Sequence, residues 1–336
     1  MIRYALLPLL LALVVTPSRA DLAVTPPSTF CGVGATDDTF CVPELEFQQW
    51  ITDDELEILD VERTAQGVSG AKKILMRAPW KDTHVLFHVK WKKLPLGRDR
   101  FNNSPRRELA AQAIAEMVLP PGRTVVPPTA VRCMPEGEHL GGDLPGLDCE
   151  AGLISLWLHN VTQGDYYDAD RWARDPDFRD AMADFNLLTY LIDHRDSRDA
   201  NFLKSTDPEN PRILSIDNGL AFSGFRNTQG FFRFARMDFE ADYRDYRVPG
   251  ISQEHVDALR ALTRDDLDSL AVVKQFEVLE GDLVPVPPTE PIRPARGHAR
   301  KDDVLQFGLS TREIDSLEER IAALLLRVDA GTLETY

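Results

Sequence analysis

The sequence predicts an α+β fold of two lobes, and two observations predict it. Three β-prone runs separated by turn-like segments lie in the first half of residues 45–150, which is typical of a β-rich small lobe. In residues 151–336, apolar residues recur mainly at helical spacing, which indicates a mainly helical large lobe. The chain has 336 residues, enough for two lobes that share a cleft.

Three strand candidates open the small lobe: residues 56–64, 71–77 and 84–92. The segments between them have the composition of hairpin turns. In the third strand, apolar residues occupy every second position from Val85, so Lys90 is expected on the opposite face. Lys92 and Lys93 are expected to point to solvent.

Helical spacing gives five helix candidates: residues 108–118, 178–192, 253–262, 264–276 and 310–328. Ser104 and Pro105 resemble the N-cap and first position of the first helix. The β-prone run 152–158 joins the lobes, and residues 285–303 are expected to form a Pro-rich, basic loop. The apolar stripe of the last helix is typical of core packing, although a partner-binding coiled coil has the same pattern.

The most informative segment is residues 194–201, which a turn-rich and then β-prone stretch connects to Asp217. Asp217 is therefore expected at a strand end, with Gly219 providing an unusual backbone angle behind it. A phosphotransfer site uses one Asp to accept the hydroxyl proton, an Asn five residues later, and an Asp after a strand. Asp196 fits the catalytic base, and Asn201 and Asp217 fit the metal ligands. A charged surface loop has the same composition.

The small lobe contains a lysine and a carboxylate suited to the same chemistry. Lys90 is the candidate for binding nucleotide phosphates, and Glu108 on the first helix is its candidate partner. Surface ion pairs of this kind are common, so the pair alone is weak. Gly67, Ser69 and Gly70 in the first hairpin turn could offer backbone amides to phosphate, but the turn is neither G-x-G-x-x-G nor a Walker A sequence. A plain hairpin turn is an equal alternative.

Taken in order along the chain, these motifs resemble the atypical secretory-pathway kinases, the family of the Golgi casein kinase, glycosaminoglycan xylosylkinase and four-jointed proteins. A more distant resemblance is to phosphatidylinositol 3-/4-kinases and HipA-type kinases. The resemblance covers residues 60–225. The segments that carry it are Glu-Leu-Ala-Ala at 108–111, Val-Pro-Pro-Thr at 126–129, the loop 196–201, and Asp-Asn-Gly at 217–219.

The resemblance implies a bilobal protein-kinase-like fold that transfers the γ-phosphoryl group of ATP to a hydroxyl on a protein or glycan, with Mg²⁺ or Mn²⁺. It implies Lys90 as phosphate-binding lysine, Glu108 as its partner, Asp196 as catalytic base, and Asn201 with Asp217 as metal ligands. A secreted pseudokinase that binds a nucleotide or a partner, and an AMP-transferring enzyme on the same fold, are the alternatives.

The loop departs from the family pattern after its aspartate. Much of the family has Arg-His there, whereas Ser197 and Arg198 follow Asp196 in this chain. Arg198 is a candidate for a positive charge beside the transferred phosphoryl group. A solvated arginine facing Asp199 is the equal alternative.

Residues 1–20 have the composition of a secretory signal peptide, with Arg3 before an apolar core at 5–15 and small residues at the cleavage positions. No later stretch approaches the roughly 20 apolar residues of a membrane span. The mature chain is expected to be secreted, periplasmic or in the secretory-pathway lumen, and to begin with an N-terminal extension over residues 21–44.

The four cysteines all follow the predicted cleavage site, which agrees with an oxidising compartment. Two disulfides are the natural number. Of the three connectivities, Cys31 with Cys41 and Cys133 with Cys149 is favoured, because each pair closes a small loop. A zinc site is disfavoured because no pair has Cys-x-x-Cys spacing.

The charge of the chain bears on its partners. The formal net charge is −16, and loss of Arg3 and Arg19 with the signal peptide changes it to −18, which argues against a nucleic-acid or anionic-membrane partner. A neutral or basic acceptor is expected. The basic cluster at 293–301 is expected to be a flexible loop, with docking of an acidic partner as the alternative.

Overall fold

The computed structural model describes residues 29–336 with the exception of several short segments and one longer one: 34–38, 54, 65–69, 81, 96–98, 101–102, 136–139, 142–143, 164–166, 197–200, 208–210, 223–244 and 293–298. The side chains of 31–33, 39 and 40 are also outside the description. The described chain mixes helices and sheets, so the α+β class is confirmed.

The α-helices are α1 (Glu44–Thr52), α2 (Pro105–Val118), α3 (Ala169–Arg174), α4 (Pro176–Leu191), α5 (Gln253–Ala261), α6 (Arg264–Ser269) and α7 (Thr311–Asp329). The strands of the N-terminal half are β1 (Thr29–Val33), β2 (Thr39–Pro43), β3 (Glu57–Arg63), β4 (Lys72–Trp80), β5 (Thr83–Lys93), β6 (Thr129–Pro135), β7 (Cys149–Leu156) and β8 (Val161–Gln163). Those of the C-terminal half are β9 (Phe202–Ser205), β10 (Ile213–Ser215), β11 (Gly250–Ile251), β12 (Lys274–Leu279), β13 (Asp282–Val286), β14 (Ala299–Lys301), β15 (Val304–Phe307) and β16 (Glu334–Thr335).

A five-stranded antiparallel sheet in the order β3-β4-β5-β7-β6 is the largest sheet among the described residues. The three predicted strands are its first three members. Strand β7 lies between β5 and β6, and Lys90 faces Ser155 in its register. The sheet therefore continues to Leu156, so the predicted lobe boundary at residue 150 falls inside a strand.

One face of this sheet is closed by apolar packing. Phe47 and Trp50 of α1 pack against Phe87 of β5, and Phe30 of β1 joins the same cluster. The apolar row of β5 is thus buried, as its alternation predicts. Gly152 of β7 approaches the Trp91 ring so closely that a Cβ there would lie 2.2 Å from it.

The other face of the sheet is closed over only part of its length. Leu109 of α2 packs there with Leu153 of β7 and with Phe276 and Phe307 from the C-terminal half. Further along β5, Lys90 is only partly buried on this face. The covered part of the sheet ends beside the candidate active site.

The C-terminal half contains a four-stranded sheet, β13-β12-β15-β14, that the sequence did not predict. The predicted helix over 264–276 is wrong in its second half: α6 ends at Ser269, a 3₁₀ turn covers Leu270–Val272, and β12 begins at Lys274. Apolar and β-branched residues in a short run suit either helix or strand, and pairing with β13 and β15 decides for strand.

The predicted loop over 285–303 is shorter than expected, because a strand occupies part of it at each end. Strand β13 ends at Val286, and β14 occupies Ala299–Lys301, the last part of the basic cluster. Residues 293–298 of that cluster lie outside the described part of the chain. The docking alternative for this cluster stays a prediction.

The remaining helices pack around a second apolar core. Ala111 of α2, Leu188 of α4, Val256 of α5 and Leu317 of α7 all belong to it. Helix α4 matches the predicted helix over 178–192 within two residues. The apolar stripe of α7 is buried in this core, as expected if the stripe serves core packing.

The disulfide between Cys133 and Cys149 is present, with their Cα atoms 5.5 Å apart. Cys31 and Cys41 lie directly opposite each other between β1 and β2, and Cys41 is disulfide-bonded. The side chain of Cys31 lies outside the description. A disulfide in the described chain agrees with the oxidising compartment expected from the sequence.

Two other predictions concern membranes and targeting. Across the described ranges, no helix combines the length and the apolar character needed to cross a membrane. Residues 1–20, the predicted signal peptide, lie before the first described residue.

Candidate active site

Three elements bring the predicted site residues together. Strand β5 carries Lys90, helix α2 carries Glu108, and Asp217 follows strand β10. Helix α2 contacts the 3₁₀ turn Asn218–Leu220 directly after Asp217. A strand, a helix start and a loop thus meet at one point, at the end of the covered face of the five-stranded sheet.

The β9-β10 hairpin returns the chain from Asn201 towards Asp217, as the sequence predicts. Ser215 pairs with Phe202, and the N–H of Ile216 donates to the carbonyl oxygen of Asn201 at 2.9 Å. Ile216 therefore lies opposite Asn201, and Asp217 follows one residue later.

The partner of Glu108 is Lys92, which corrects the predicted pair of Lys90 and Glu108. The Lys92 Nζ atom lies 2.9 Å from Glu108 Oε1 and 2.7 Å from Asp217 Oδ1. Its side chain is only 4 % exposed, so the prediction that Lys92 points to solvent is wrong. Because side chains alternate along a strand, Lys90 and Lys92 share one face, and the position of α2 decides which of them meets Glu108.

Lys90 instead forms an ion pair with Asp217, on the same oxygen Oδ1 that Lys92 contacts. Its side chain is 19 % exposed. Burial and then the nearby Lys92 ammonium lower the pKa of Lys90, and the Asp217 carboxylate opposes both effects. Lys90 is thus held in the site against repulsion from its neighbour.

Asp217 is an ionised carboxylate between two ammonium groups. Burial by itself raises its pKa, but the charges of Lys92 and Lys90 outweigh burial and hold the pKa well below its usual range. For Lys92, burial lowers the pKa, and the two carboxylates of Glu108 and Asp217 raise it above its ordinary value. The cluster accordingly holds two positive and two negative charges in a largely buried space.

The backbone of Asp217 is left-handed, with φ 57° and ψ 47°. The sequence assigned the unusual angle to Gly219, but Gly219 lies inside the 3₁₀ turn and is not among the residues with positive φ. Asp is one of the few residue types other than Gly that adopt this conformation, at a cost of about 1–3 kcal/mol. The residue with the strained backbone is therefore Asp217, whose carboxylate binds the two lysines.

Glu108 has a second role that sequence reasoning did not identify. Its Oε2 atom accepts a hydrogen bond from the N–H of Asn218 at 2.8 Å, while its Oε1 atom binds Lys92. The Asn218 Oδ1 atom in turn accepts a hydrogen bond from Ser215 Oγ at 2.7 Å. Glu108 thus joins β5 to the loop that presents Asp217.

The loop that begins at Asp193 is fixed at both ends by buried polar groups. The N–H of Asp196 donates to His194 Nδ1 at 3.2 Å, and Asn201 Nδ2 donates to the Asp196 carbonyl oxygen at 2.8 Å. His194 and Asn201 are 1 % and 4 % exposed. Burial lowers the pKa of His194, which keeps the imidazole neutral with Nδ1 as acceptor.

His194 was not assigned a role from the sequence, although it stands two residues before Asp196. Asp193 was also missed: its carboxylate binds Arg195 at 2.8 Å and Arg320 of α7 at 3.0 Å. Asp193 therefore ties the loop to the helical core. The sequence of a short polar segment does not predict which of its side chains is buried, because burial depends on the helices that pack around the segment.

Some predicted site residues cannot be placed. Arg198, Gly67 and Ser69 lie outside the described residues. Gly70 is described: it is exposed, has φ +72°, and has open space around the position of a Cβ. The phosphate-binding turn and the role of Arg198 stay predictions.

The residues at the site fit a divalent cation. The Asp217 carboxylate and the Asn201 side-chain oxygen are hard oxygen ligands of the kind that Mg²⁺ and Mn²⁺ prefer. In the described residues, Cys133, Cys149 and Asp282 make the one group of three clustered metal-ligating side chains, and its two sulfurs are in the disulfide. The protein part of a site at Asp217 has few ligands, as is usual where phosphates complete the coordination.

No protein-family model matches the chain, and no curated protein matches it at a significant level. Function is therefore argued from the site itself.

Proposed function

We propose that this chain is an atypical kinase of bilobal kinase-like fold, which transfers the γ-phosphoryl group of ATP to a hydroxyl on a protein or glycan. The observation that supports this most is the convergence of Lys92, Glu108 and Asp217 from a strand, a helix and a loop. A lysine on a small-lobe strand, a helical glutamate and a metal-binding aspartate are the parts that kinases assemble for ATP.

Each residue has a role in the proposed transfer. Lys92, oriented by Glu108, binds phosphate oxygens, and Asp196 accepts the proton of the acceptor hydroxyl. The hydroxyl oxygen bonds to the γ-phosphorus while the bond between that phosphorus and ADP breaks. Asp217 and Asn201 are the residues to hold Mg²⁺ or Mn²⁺, which supplies positive charge to the phosphate oxygens when bound.

The compartment belongs to the proposal as well. The composition of residues 1–20 and the disulfide between Cys133 and Cys149 support a protein that acts outside the cytoplasm. The acceptor is then a protein or glycan of the secretory pathway, the periplasm or the extracellular space.

Thermal unfolding of the purified chain lacking residues 1–20, with its disulfides intact, tests nucleotide binding. ATP with Mg²⁺ or Mn²⁺ is expected to raise the midpoint, by an amount equivalent to about 2.7 kcal/mol when ligand is at 100 times Kd. Asp217→Asn is expected to lose this rise. Asp329→Asn, at an exposed ion pair with Arg260, is the matched control and is expected to keep it. No rise with any nucleotide or metal contradicts the proposal.

Turnover by Asp196→Asn tests the chemistry separately from binding. The variant is expected to keep the nucleotide-dependent rise in midpoint but to lose roughly 10²- to 10⁴-fold in turnover, the usual contribution of a positioned base. Full turnover in this variant would show that another group is the base. Mass spectrometry of the product distinguishes phosphate transfer from AMP transfer by the added mass.

A second candidate function is a pseudokinase that binds a nucleotide without turnover. It is favoured by the ion pairs that Asp217 makes with both Lys90 and Lys92, because each ammonium occupies a position beside the carboxylate that a metal requires. A nucleotide-dependent rise in midpoint together with no transfer to any acceptor would support it.

A further inference from the structure

We propose that Lys90 is an exchangeable cation: it holds Asp217 when no nucleotide is bound, and it moves to the nucleotide phosphates when a divalent cation binds Asp217. The inference rests on the proposed function, because it concerns the regulation of the same site. Lys92 is the fixed lysine and Lys90 the mobile one.

The first step is the crowding of a single oxygen. Both Nζ atoms contact Oδ1 of Asp217, with Lys92 at 2.7 Å. A carboxylate oxygen offers about two lone-pair positions. A metal ion that binds Oδ1 must therefore displace one of the two ammonium groups, and a metal ion on the other oxygen, Oδ2, is repelled by both ammonium groups until one of them leaves.

The second step identifies the group that leaves. Lys92 is 4 % exposed and also binds Glu108, so its departure would leave a buried carboxylate without its cation. Lys90 is 19 % exposed, and its one ion pair in the described structure is with Asp217. Its flexible stem allows the ammonium to swing without movement of the strand. Lys90 is the lysine that can leave.

The third step concerns where Lys90 goes. It lies on the same face of β5 as Lys92, two residues earlier, which is about 7 Å along the strand. That face is not covered by the apolar packing that closes it near Leu153. When a divalent cation replaces Lys90 at Asp217, the site gains positive charge that the phosphates of a nucleotide balance. Metal and nucleotide are thus expected to bind cooperatively.

The test measures Mn²⁺ binding by electron paramagnetic resonance in the full mature chain, without nucleotide and with a non-hydrolysable ATP analogue. A nearby charge changes the proton affinity of a carboxylate by about ten- to a thousandfold. Without nucleotide, Lys90→Met is therefore expected to bind Mn²⁺ roughly tenfold more tightly than the native chain. With Mn²⁺ present, it is expected to bind the analogue more weakly.

Two variants make the result specific. Lys90→Arg keeps the charge and is expected to resemble the native chain in Mn²⁺ affinity. Asp217→Asn is expected to lose Mn²⁺ binding. An unfolding midpoint for Lys90→Met close to that of the native chain shows that the variant is folded.

An unchanged or lower Mn²⁺ affinity of Lys90→Met, or no Mn²⁺ binding by it at all, would overturn the exchange. If the native chain still shows a nucleotide- and metal-dependent rise in midpoint, the proposed function stands while the exchange falls. If the native chain shows no such rise, the proposed function fails, and the movement of Lys90 to phosphate fails with it.

Discussion

Two carboxylates beside helix α2 each bind two cations, yet the two clusters are built differently. Glu313 of α7 binds Arg106 and Arg107 from the first turn of α2. Asp217, which follows β10, binds Lys90 and Lys92 from β5. In both clusters a buried carboxylate is paired with positive charges. Helix α2 contributes neighbouring residues to them: Arg106 and Arg107 to the Glu313 cluster, and Glu108 to the Asp217 cluster.

The difference is in how completely each carboxylate is enclosed. Both Glu313 oxygens are used by arginines, and Oε2 also accepts hydrogen bonds from the N–H and hydroxyl of Ser310 at 2.8 Å. Planar guanidinium groups match carboxylates in fixed geometry, whereas lysine ammonium groups are mobile point charges. Asp217 stands in a left-handed loop position with 19 % of its side chain exposed, against 9 % for Glu313. The enclosure of Glu313 suits a role in stability, whereas the Asp217 cluster is the one for which we propose exchange with a ligand.

The largest effect on stability is expected from Glu313→Gln, which removes the carboxylate that Arg106 and Arg107 share and leaves only Arg106 with another carboxylate, that of Asp99. The loss is about 3–5 kcal/mol, because two buried guanidinium groups lose their shared counter-charge. Chemical denaturation measures it. Glu318→Gln is the matched control on the same helix, since its ion pair with Arg264 is exposed and worth at most about 1 kcal/mol. Equal losses in the two variants would contradict a structural role for the buried cluster.

The second prediction uses acid. Burial raises the pKa of Glu313, but its hydrogen bonds and ion pairs with the arginines lower it to about 2. Because the pKa of Glu313 is lower in the folded chain than its ordinary value of 4.5, the ionised carboxylate stabilises the fold at pH values above 4.5. This stabilisation is lost as the pH falls from 4.5 towards 2. The difference in unfolding free energy between the native chain and Glu313→Gln is expected to shrink by about 3 kcal/mol across that range. A difference independent of pH would show that the charge of Glu313 is not what matters.

The third prediction compares the two lysines of the Asp217 cluster. Lys92→Met is expected to cost about 2 kcal/mol more stability than Lys90→Met, because Lys92 is buried between two carboxylates. Urea denaturation of both variants measures the difference. Lys93→Met, at the exposed end of the same strand, is the control and is expected to lie within about 0.5 kcal/mol of the native chain. A greater loss for Lys90→Met would reverse the roles assigned to the lysines.

The smallest effect is expected from Ser310→Ala. It removes the hydroxyl that donates to Glu313 Oε2 but leaves the arginine pairs and the N–H contact in place. A loss of about 1.5 kcal/mol in the unfolding free energy is expected, the lower end for a hydrogen bond to a charged group, because the N–H of Ser310 still donates to the same oxygen. A loss as large as that of Glu313→Gln would mean that the hydroxyl, and not the arginines, stabilises the carboxylate.

Local patterns in the sequence were enough for most of the strands and helices near the site. The alternation in β5 correctly placed Lys90 opposite the apolar row, and the composition between Asn201 and Asp217 correctly predicted a hairpin. These features depend on residues close together in the chain. The sheet of β12 to β15 was missed, because a short apolar run becomes a strand there through pairing with distant residues.

The sequence by itself determined which residue types form the candidate site: a lysine on a strand, a glutamate on a helix, and an Asn and an Asp at the two ends of a hairpin. Only the tertiary structure decided that Lys92 binds Glu108, that Lys90 binds Asp217, and that Asp217 takes the left-handed angle. Strand periodicity fixes the face on which a side chain lies, because that depends on the local backbone. The choice of charged partner depends on where separate elements pack, and no pattern within one segment contains that information.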